Sequence, residues 1–497
     1  MGERILVIGA GMAGLWSAMA LAGGDREILL LDRDPSPPDG GADVAFEDWK
    51  RRGVSHLRHS HAFLARLRTL ARDRHPALLD ALLEAGCREL GFEGSLTDRH
   101  KQNYRPEPID QDLAILTSRR TTLELVMRRY AEQLPGVTIQ PETFVKSLIV
   151  EPGAPARVTG VRLEDGRELT CDILVDAAGR NSQAPELLAA AGVTIPEASE
   201  ACGVIYYTRH YRLEPGAAEP PRGAGSTTGD LGYLKFGVFP GDNGCFSITL
   251  CVPEVEEEMR KAIVAPEAFD AICRTLPGVA AWIEPERTRP TSRVFGMGQL
   301  ESRWRELAPG DQPVVLGFFP VGDSIVRTNP LYGRGCSFAA VSAHLLADSL
   351  LASRDPAQRL KSYRDALNRD LRPDYDAMRQ ADRSAIKRAR AALLPPKPLT
   401  LRGRLMKGFL EDGVAIAMRE DVVLLRAFLR GFHMLEHPNA WLKRPANIAR
   451  IVRVWARGKT RNAALYPPKS GPERTEMFET LGIPHLADME RVRAEAA

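Results

Sequence analysis

Cysteine is scarce in this 497-residue chain: seven residues, scattered, with no C-x-x-C pair among them. That excludes a disulfide framework and a cysteine zinc cage, and it fits a reducing compartment, so the expected location is the cytoplasm. No His/Cys/Asp/Glu grouping has metal-ligand spacing, and no metal is expected. Long apolar runs are missing too, none approaching the roughly eighteen residues of a membrane span. The chain enters a strand-like run almost at once, so no leader is expected before it. Charge of one sign is not in excess: 67 Lys and Arg stand against 64 Asp and Glu, a net +3, which gives no general argument for nucleic acid as a partner. There is no internal repeat, no paired-carboxylate motif and no nucleophile motif. With 44% hydrophobic and 26% charged residues the composition is that of a globular protein. The length calls for more than one hydrophobic core.

The first thirty-odd residues are the most informative part of the chain. Residues 4–8 read as a buried strand, Gly9-Ala10-Gly11-Met12-Ala13-Gly14 follows, and residues 15–21 read as a helix. A second apolar run, 28–31, ends at Asp32, eighteen residues beyond Gly14. This is the order of a dinucleotide-binding βαβ unit. Gly9 permits the tight turn, Gly11 lets backbone approach a pyrophosphate, and Gly14 lets helix and strand pack closely. The helix N-terminus then offers N–H groups and a positive dipole end to phosphate, and Asp32 stands where a carboxylate accepts from a ribose. Residues here leave FAD and NAD equally open.

Further along, residues 34–42 form a turn-rich loop, and 60–86 read as helical with an interruption at Pro76. Residues 121–134 form another helix, stopped by Pro135-Gly136. From 137 to 175 short alternating runs suggest a β-meander and a return strand, and 203–252 holds more strands around a Pro/Gly-rich loop at 215–229. Helices are expected over 254–276 and 335–352, with a buried strand at 313–319 before the second. Residues 360–460 read as mostly helical, broken at Pro395-Pro396 and Pro398, and the last thirty residues as loosely ordered.

Two later motifs bear on the cofactor. Asp176-Ala177-Ala178-Gly179-Arg180-Asn181-Ser182 closes an apolar run, and Gly317-Phe318-Phe319-Pro320-Val321-Gly322-Asp323-Ser324 closes another, followed by Asn329-Pro330-Leu331-Tyr332-Gly333-Arg334-Gly335-Cys336 at the start of a helix. With the N-terminal motif, over roughly residues 1–350, these resemble the FAD-dependent aromatic-hydroxylase-like superfamily, which holds flavoprotein monooxygenases, flavin-dependent halogenases, styrene-type epoxidases and geranylgeranyl reductases. The resemblance implies an α/β fold: a glutathione-reductase-like Rossmann FAD domain with an inserted β-rich substrate domain and a helical C-terminal region. The implied domains are 1–184 (FAD domain, first part, with an insert near 46–118), 185–300 (substrate domain), 301–365 (FAD domain, last part) and 366–497 (helical region).

The resemblance also implies roles. Gly9, Gly11 and Gly14 would hold the FAD pyrophosphate, Asp32 the adenosine ribose, and Arg33 would lie against the adenine. Arg119 would contact the cofactor, and Asp176 and Gly179 would belong to the second cofactor motif. Asp323 would hydrogen-bond the ribityl chain, Gly322 would bind the cofactor in the same motif, and Pro330, Gly333 and Gly335 would pass beside the flavin ring. Reduced flavin carries negative charge near N1 and O2, which a helix beginning at Gly335 would stabilise. His59 and His61, in the insert that often lines the flavin edge, and Tyr332 are the candidate catalytic side chains. Structural packing is the alternative for both histidines, whose i, i+2 spacing does not share a helix face. Cys336 reads as a small packing residue.

The implied activity is a monooxygenase that hydroxylates or epoxidises a hydrophobic small molecule with O2 through a flavin C4a-(hydro)peroxide. Reduction of prenyl or lipid double bonds, in the manner of geranylgeranyl reductases, is the alternative. A halogenase is disfavoured because Trp-x-Trp-x-Ile-Pro is absent, and a flavin-binding protein without turnover is a further reading. Ala178 stands before Gly179 where para-hydroxybenzoate-type hydroxylases have Asp, so the electron source is open between NAD(P)H and an external flavin reductase.

Two stretches are basic without acid: residues 383–410 with eight Lys or Arg and 441–461 with seven, both interleaved with apolar residues. Packing of a solvated amphipathic face is the favoured reading, and peripheral contact with an anionic membrane the other.

Overall fold

Arg4–Ile8 (β1) is apolar at every interior position and carries no breaker, so it forms a strand buried on both sides. It pairs in parallel with Glu27–Leu31 (β2) and with Ile173–Asp176 (β4). Val137–Gln140 (β3) extends the sheet beyond β2, and Phe318–Pro320 (β5) extends it beyond β4, giving the order β5-β4-β1-β2-β3. The computed structural model describes residues 2–54, 56–221, 226–396 and 398–496. They divide into two units, one from Met1–Cys87, Ser118–Cys202 and Glu301–Arg379, the other from Arg88–Thr117, Gly203–Leu300 and Gln380–Ala497.

In the first unit three helices matter for the site: Met12–Leu21 (α1), Arg120–Glu132 (α2) and Gly335–Ala352 (α3). α1 and α3 are apolar around most of their circumference and buried accordingly. They meet where Gly322, at φ +58°, leaves no room for a side chain: a Cβ there would stand 2.8 Å from that of Ala13. A smaller antiparallel sheet, Val145–Glu151 with Ala156–Leu163 and Glu168–Thr170, is the expected meander.

The second unit is built on an antiparallel sheet whose long central pair is Val204–Leu213 and Cys245–Pro253. Its alternate residues Phe246, Ile248, Leu250 and Val252 pack with Phe269, Ile272, Met477 and Phe478 in one core. A second cluster, with Ile416, Leu424, Trp441, Ile451 and Val454, is wholly helical.

The expected fold class stands, and two expectations are corrected. The last thirty residues are not loose: Arg474–Leu481 and Ala487–Ala496 are helices, and Met477, Phe478 and Val492 are fully buried. Apolar spacing is diluted there by charges that are themselves engaged, Arg474 with Glu256 at 2.7 Å and Asp488 with the backbone N–H of Glu257 at 3.0 Å. α3, at 18 residues, is long and apolar enough to cross a membrane, contrary to the expectation of no such run. Its polar members Ser337, Ser342 and His344 are buried within the first unit, so it serves as a core helix. Four residues of the 215–229 loop (222–225) and Lys397 of the basic 383–410 stretch lie outside the described residues.

Candidate functional site

The glycine loop leaves β1 at Gly9, where a φ of +97° and a Cβ that would stand 2.8 Å from the Ala177 carbonyl oxygen suit only glycine. At Gly14 a Cβ would stand 1.9 Å from the Gly9 carbonyl oxygen. Both glycines are therefore required by the backbone itself. Gly11 is different: a Cβ there would meet only side-chain atoms at ordinary contact distance, the tip of Arg51 at 3.6 Å and a methyl of Val54 at 3.7 Å. Gly11 is the N-cap of α1 and provides no side chain to satisfy the first N–H groups.

Asp32 ends β2 and is buried, but it is not alone. Its Oδ2 accepts from Arg51 at 2.5 Å and from Arg128 at 3.3 Å. Arg51 also donates to the carbonyl oxygen of Ala10 at 3.0 Å, so its guanidinium spans the glycine loop and the end of β2. Burial opposes the Arg51 charge, but Asp32, Glu124 and Asp34 outweigh it and raise its pKa. Trp49 stacks on this guanidinium at 4.8 Å. Nothing in the linear pattern marks Arg51, since the loop that carries it has no periodicity. The acid at the end of the second strand was the available signal that a buried cation must lie near. Arg33 donates to the carbonyl oxygen of Arg52 at 3.4 Å. Arg119 is buried as the N-cap of α2 and engages Asp43 at 2.7 Å and the Phe46 ring at 5.3 Å.

The two later motifs come together at the ends of β4 and β5. The Val321 N–H donates to the Asp176 carbonyl oxygen at 2.9 Å, and the Gly179 N–H to Ser324 Oγ at 2.9 Å. Asp176 accepts from Ser182 at 2.6 Å and from the Ala178 N–H at 3.1 Å, so its carboxylate fastens its own turn. Burial raises its pKa against those hydrogen bonds and the nearby Arg305.

Asp323 is half-buried beside the start of α3: a Cβ on Gly335 would lie 3.9 Å from its Oδ1. Burial raises its pKa, while Arg120, Arg327, Arg303 and Arg180 pull the other way. Arg120 is buried with Glu124 at 2.6 Å, and burial of its charge is outweighed by Glu124, Cys336 and Asp323. The 330–335 loop turns at Gly333, φ +65°, with Asn329 accepting from the Leu331 N–H at 3.0 Å. Gly333 abuts the 62–64 segment, where a Cβ would meet the Ala62 carbonyl oxygen at 3.5 Å. α3 then starts at Gly335 with no side-chain cap.

The histidine segment adjoins this loop. His61 Nδ1 lies 2.8 Å from the His59 carbonyl oxygen, its Nε2 3.4 Å from Arg120, and its ring stacks on Phe63. His59 is buried. His56, passed over in the sequence, is also here, its ring 6.0 Å from His61. Burial first, then Arg120, holds its pKa far below the usual imidazole value, so it is neutral at neutral pH. Tyr332 is half-exposed on the loop. Burial pushes the Cys336 thiol up to about 11, which makes it a packing residue. Among the described residues no group of three or more His, Cys, Asp or Glu could hold a metal.

These residues fit an FAD. Two long helices, α1 and α3, begin without side-chain caps, one beside a glycine loop and one beside Asp323 in a field of guanidiniums, so the site offers N–H groups for a diphosphate and for an anionic ring edge. Comparison with known proteins agrees. Residues 4–201 match the family model described as an FAD binding domain. Protein Rv3254 of Mycobacterium tuberculosis (strain ATCC 25618 / H37Rv) is 26% identical over 381 residues, 70% of this chain and 73% of its own. The flavin-dependent brominase Bmp2 superposes with a TM-score of 0.54 at 18% identity, covering 92% of this chain and 100% of its own. The p-nitrophenol 4-monooxygenase PnpA from Pseudomonas putida DLL-E4 gives 0.53 at 16% identity, covering 87% and 98%. Residues 4–201 thus form an FAD-binding domain, and the chain around it has the fold shared by the flavin-dependent brominase and the p-nitrophenol monooxygenase.

Proposed function

We propose that this FAD-dependent oxidoreductase is a monooxygenase that transfers one oxygen atom of O2 to a hydrophobic small molecule, by hydroxylation or epoxidation. The observation that carries the reading is the uncapped N-terminus of α3 at Gly335, beside Asp323 and within the field of Arg120, Arg180, Arg303 and Arg327. Such an environment favours a negative charge next to it and disfavours losing one. FAD, when bound, supplies two-electron reduction and reaction with O2.

The remaining work falls to this chain's own residues. Gly9, Gly11, Gly14 and the start of α1 would hold the diphosphate, Asp32 the adenosine ribose and Arg33 the adenine edge. Asp323 would hold the ribityl chain, and Pro330, Gly333 and Gly335 would pass beside the ring. Gly179 and Gly322 would shape the floor, with Asp176 fastening the turn that carries Gly179 through Ser182. His61 orients Arg120, and the neutral His56 adds no charge to that corner. Electrons would come from NAD(P)H or from a separate flavin reductase.

The test is stoichiometry on the purified flavoprotein with a panel of phenolic and polyprenyl compounds. A monooxygenase consumes one O2 per product and one NAD(P)H, or one reduced flavin from an added reductase. A product that gains two hydrogens without O2 uptake would instead mark a double-bond reductase. Oxygen consumed wholly as hydrogen peroxide with every compound would contradict substrate oxygenation.

A further inference from the structure

We propose that the helix Leu401–Gly408 (α4), with Leu399 and Leu410 at its ends, is a docking surface for an anionic lipid bilayer. α4 lies in the second unit and has no buried residue. Five large apolar side chains are open to solvent in twelve residues: Leu399 at 52%, Leu401 at 67%, Leu405 at 54%, Met406 at 52% and Leu410 at 49%. They account for five of the thirteen exposed large hydrophobic residues among those described. An isolated exposed leucine is ordinary, whereas such a run is not.

Charge identifies what covers this face. Arg402, Arg404 and Lys407 are exposed on the same two turns. Among the described residues Arg402 and Arg404 have no ion pair, and Lys407 has only Glu411 at 3.9 Å, both exposed. From 383 to 410 there is no acid at all. The other acid-free stretch, 441–461, behaves differently. Its Trp441, Ile451 and Val454 are core residues. Arg444 pairs with Glu436, Arg450 with Asp421, Arg457 with Glu420 and Lys459 with Asp412. Where this unit folds onto itself, therefore, it supplies acids to four of the seven basic residues of that stretch. At α4 the described residues give Arg402 and Arg404 no acid, Lys407 only the exposed Glu411, and no side chain is buried.

Apolar residues for an acyl boundary, flanked by unpaired cations that reach headgroups, match an anionic bilayer surface and not a water-facing or protein-core one. α4 is anchored on its C-terminal side, where Phe409 meets the Trp455 ring at 5.6 Å.

The inference is independent of the proposed oxygenation and is tested on the full chain. Purified protein is sedimented with vesicles of phosphatidylcholine alone and of phosphatidylcholine with half phosphatidylglycerol, at low salt. Binding to the anionic vesicles only, with loss at high salt, is expected. Arg402→Gln with Arg404→Gln should weaken partition roughly thirtyfold, the effect of removing two surface cations. Leu405→Glu with Met406→Glu should abolish it, while far-UV circular dichroism and flavin absorbance stay those of the parent. No sedimentation with anionic vesicles, or equal sedimentation with neutral ones, would overturn the proposal. So would a lipid-free dimer that the Leu405→Glu, Met406→Glu variant dissolves, since that would give the face to a second copy of the chain.

Discussion

Replacing Asp32 with Ala tests whether the end of the second strand is held as described. Asp32 is the shared acceptor of two guanidiniums, Arg51 and Arg128, with side-chain exposures of 4%, 1% and 1%. Removing it leaves two buried cations short of an anion. Breaking a buried ion pair by deleting one partner costs about 3–5 kcal/mol. Both arginines keep other acids, Arg51 with Glu124 at 3.6 Å and Asp34 at 3.8 Å, and Arg128 with Glu132 at 3.0 Å. The cost therefore belongs at the lower end, about 3 kcal/mol. With a urea dependence of about 3 kcal/mol per molar, the midpoint of the unfolding transition should fall by about 1 M. Trp49, stacked on Arg51, reports that transition by fluorescence, and a Trp49→Phe control identifies its signal. Asp32→Ala combined with Arg51→Met should recover much of the loss, because an apolar side chain replaces the uncompensated charge. A midpoint for Asp32→Ala within 0.2 M of the parent, a limit taken as about a fifth of the expected shift, would refute this account of the ion-pair cluster.

Four other outcomes are expected. Gly14→Ala should prevent stable FAD binding, measured as bound flavin per chain after gel filtration, because its Cβ meets the Gly9 carbonyl oxygen at 1.9 Å; a fully loaded variant would contradict the packing described. Phe478→Ala should cost about 3–5 kcal/mol in denaturant titrations, since Phe478 is fully buried in the core of the second unit; a cost below about 1 kcal/mol would mean the C-terminal helices do not seal that core. His75, hydrogen-bonded to His344 at 3.3 Å, has its pKa lowered to about 4, by burial first and His344 second. The folded state then binds fewer protons than the unfolded one between about pH 6.5 and 4, so this stability is present above 6.5 and is lost as pH falls through that window. His75→Phe should flatten the melting temperature over that range, and an unchanged pH profile would count against the pair. Finally, Cys336 should stay unreactive toward a thiol-specific disulfide reagent at pH 8 and react on unfolding, with site-resolved mass spectrometry as the readout; labelling in the folded protein would contradict its burial.

The parts of the fold that follow from local chemistry were legible in the sequence. β1, the glycine loop and α1 are encoded within eighteen residues, and the positions of Gly9 and Gly14 rest on backbone contacts that hardly depend on the rest of the chain. The two later motifs were also readable as ends of apolar runs, but that their strands lie side by side in one sheet was learned from the structure. Partners distant in sequence were not. Arg51 meets Asp32 from a loop without periodicity, and His56 is neutral only because the fold buries it next to Arg120. The C-terminal helices looked loose because their charges, Arg474 and Asp488, find partners more than two hundred residues away. The two basic stretches were indistinguishable by composition. The burial of Trp441, Ile451 and Val454 and the acids contributed by other segments separate 441–461, which is packed, from α4, which has no buried residue.

The central claim, that the flavoprotein is a monooxygenase, is tested most directly by isotope. Substrate is turned over under 18O2 in ordinary water and the product analysed by mass spectrometry. A monooxygenase leaves one 18O atom in each product molecule, and none when the label is in the water. A product free of 18O, whether it has gained two hydrogens or is oxidised with oxygen from water, would contradict it.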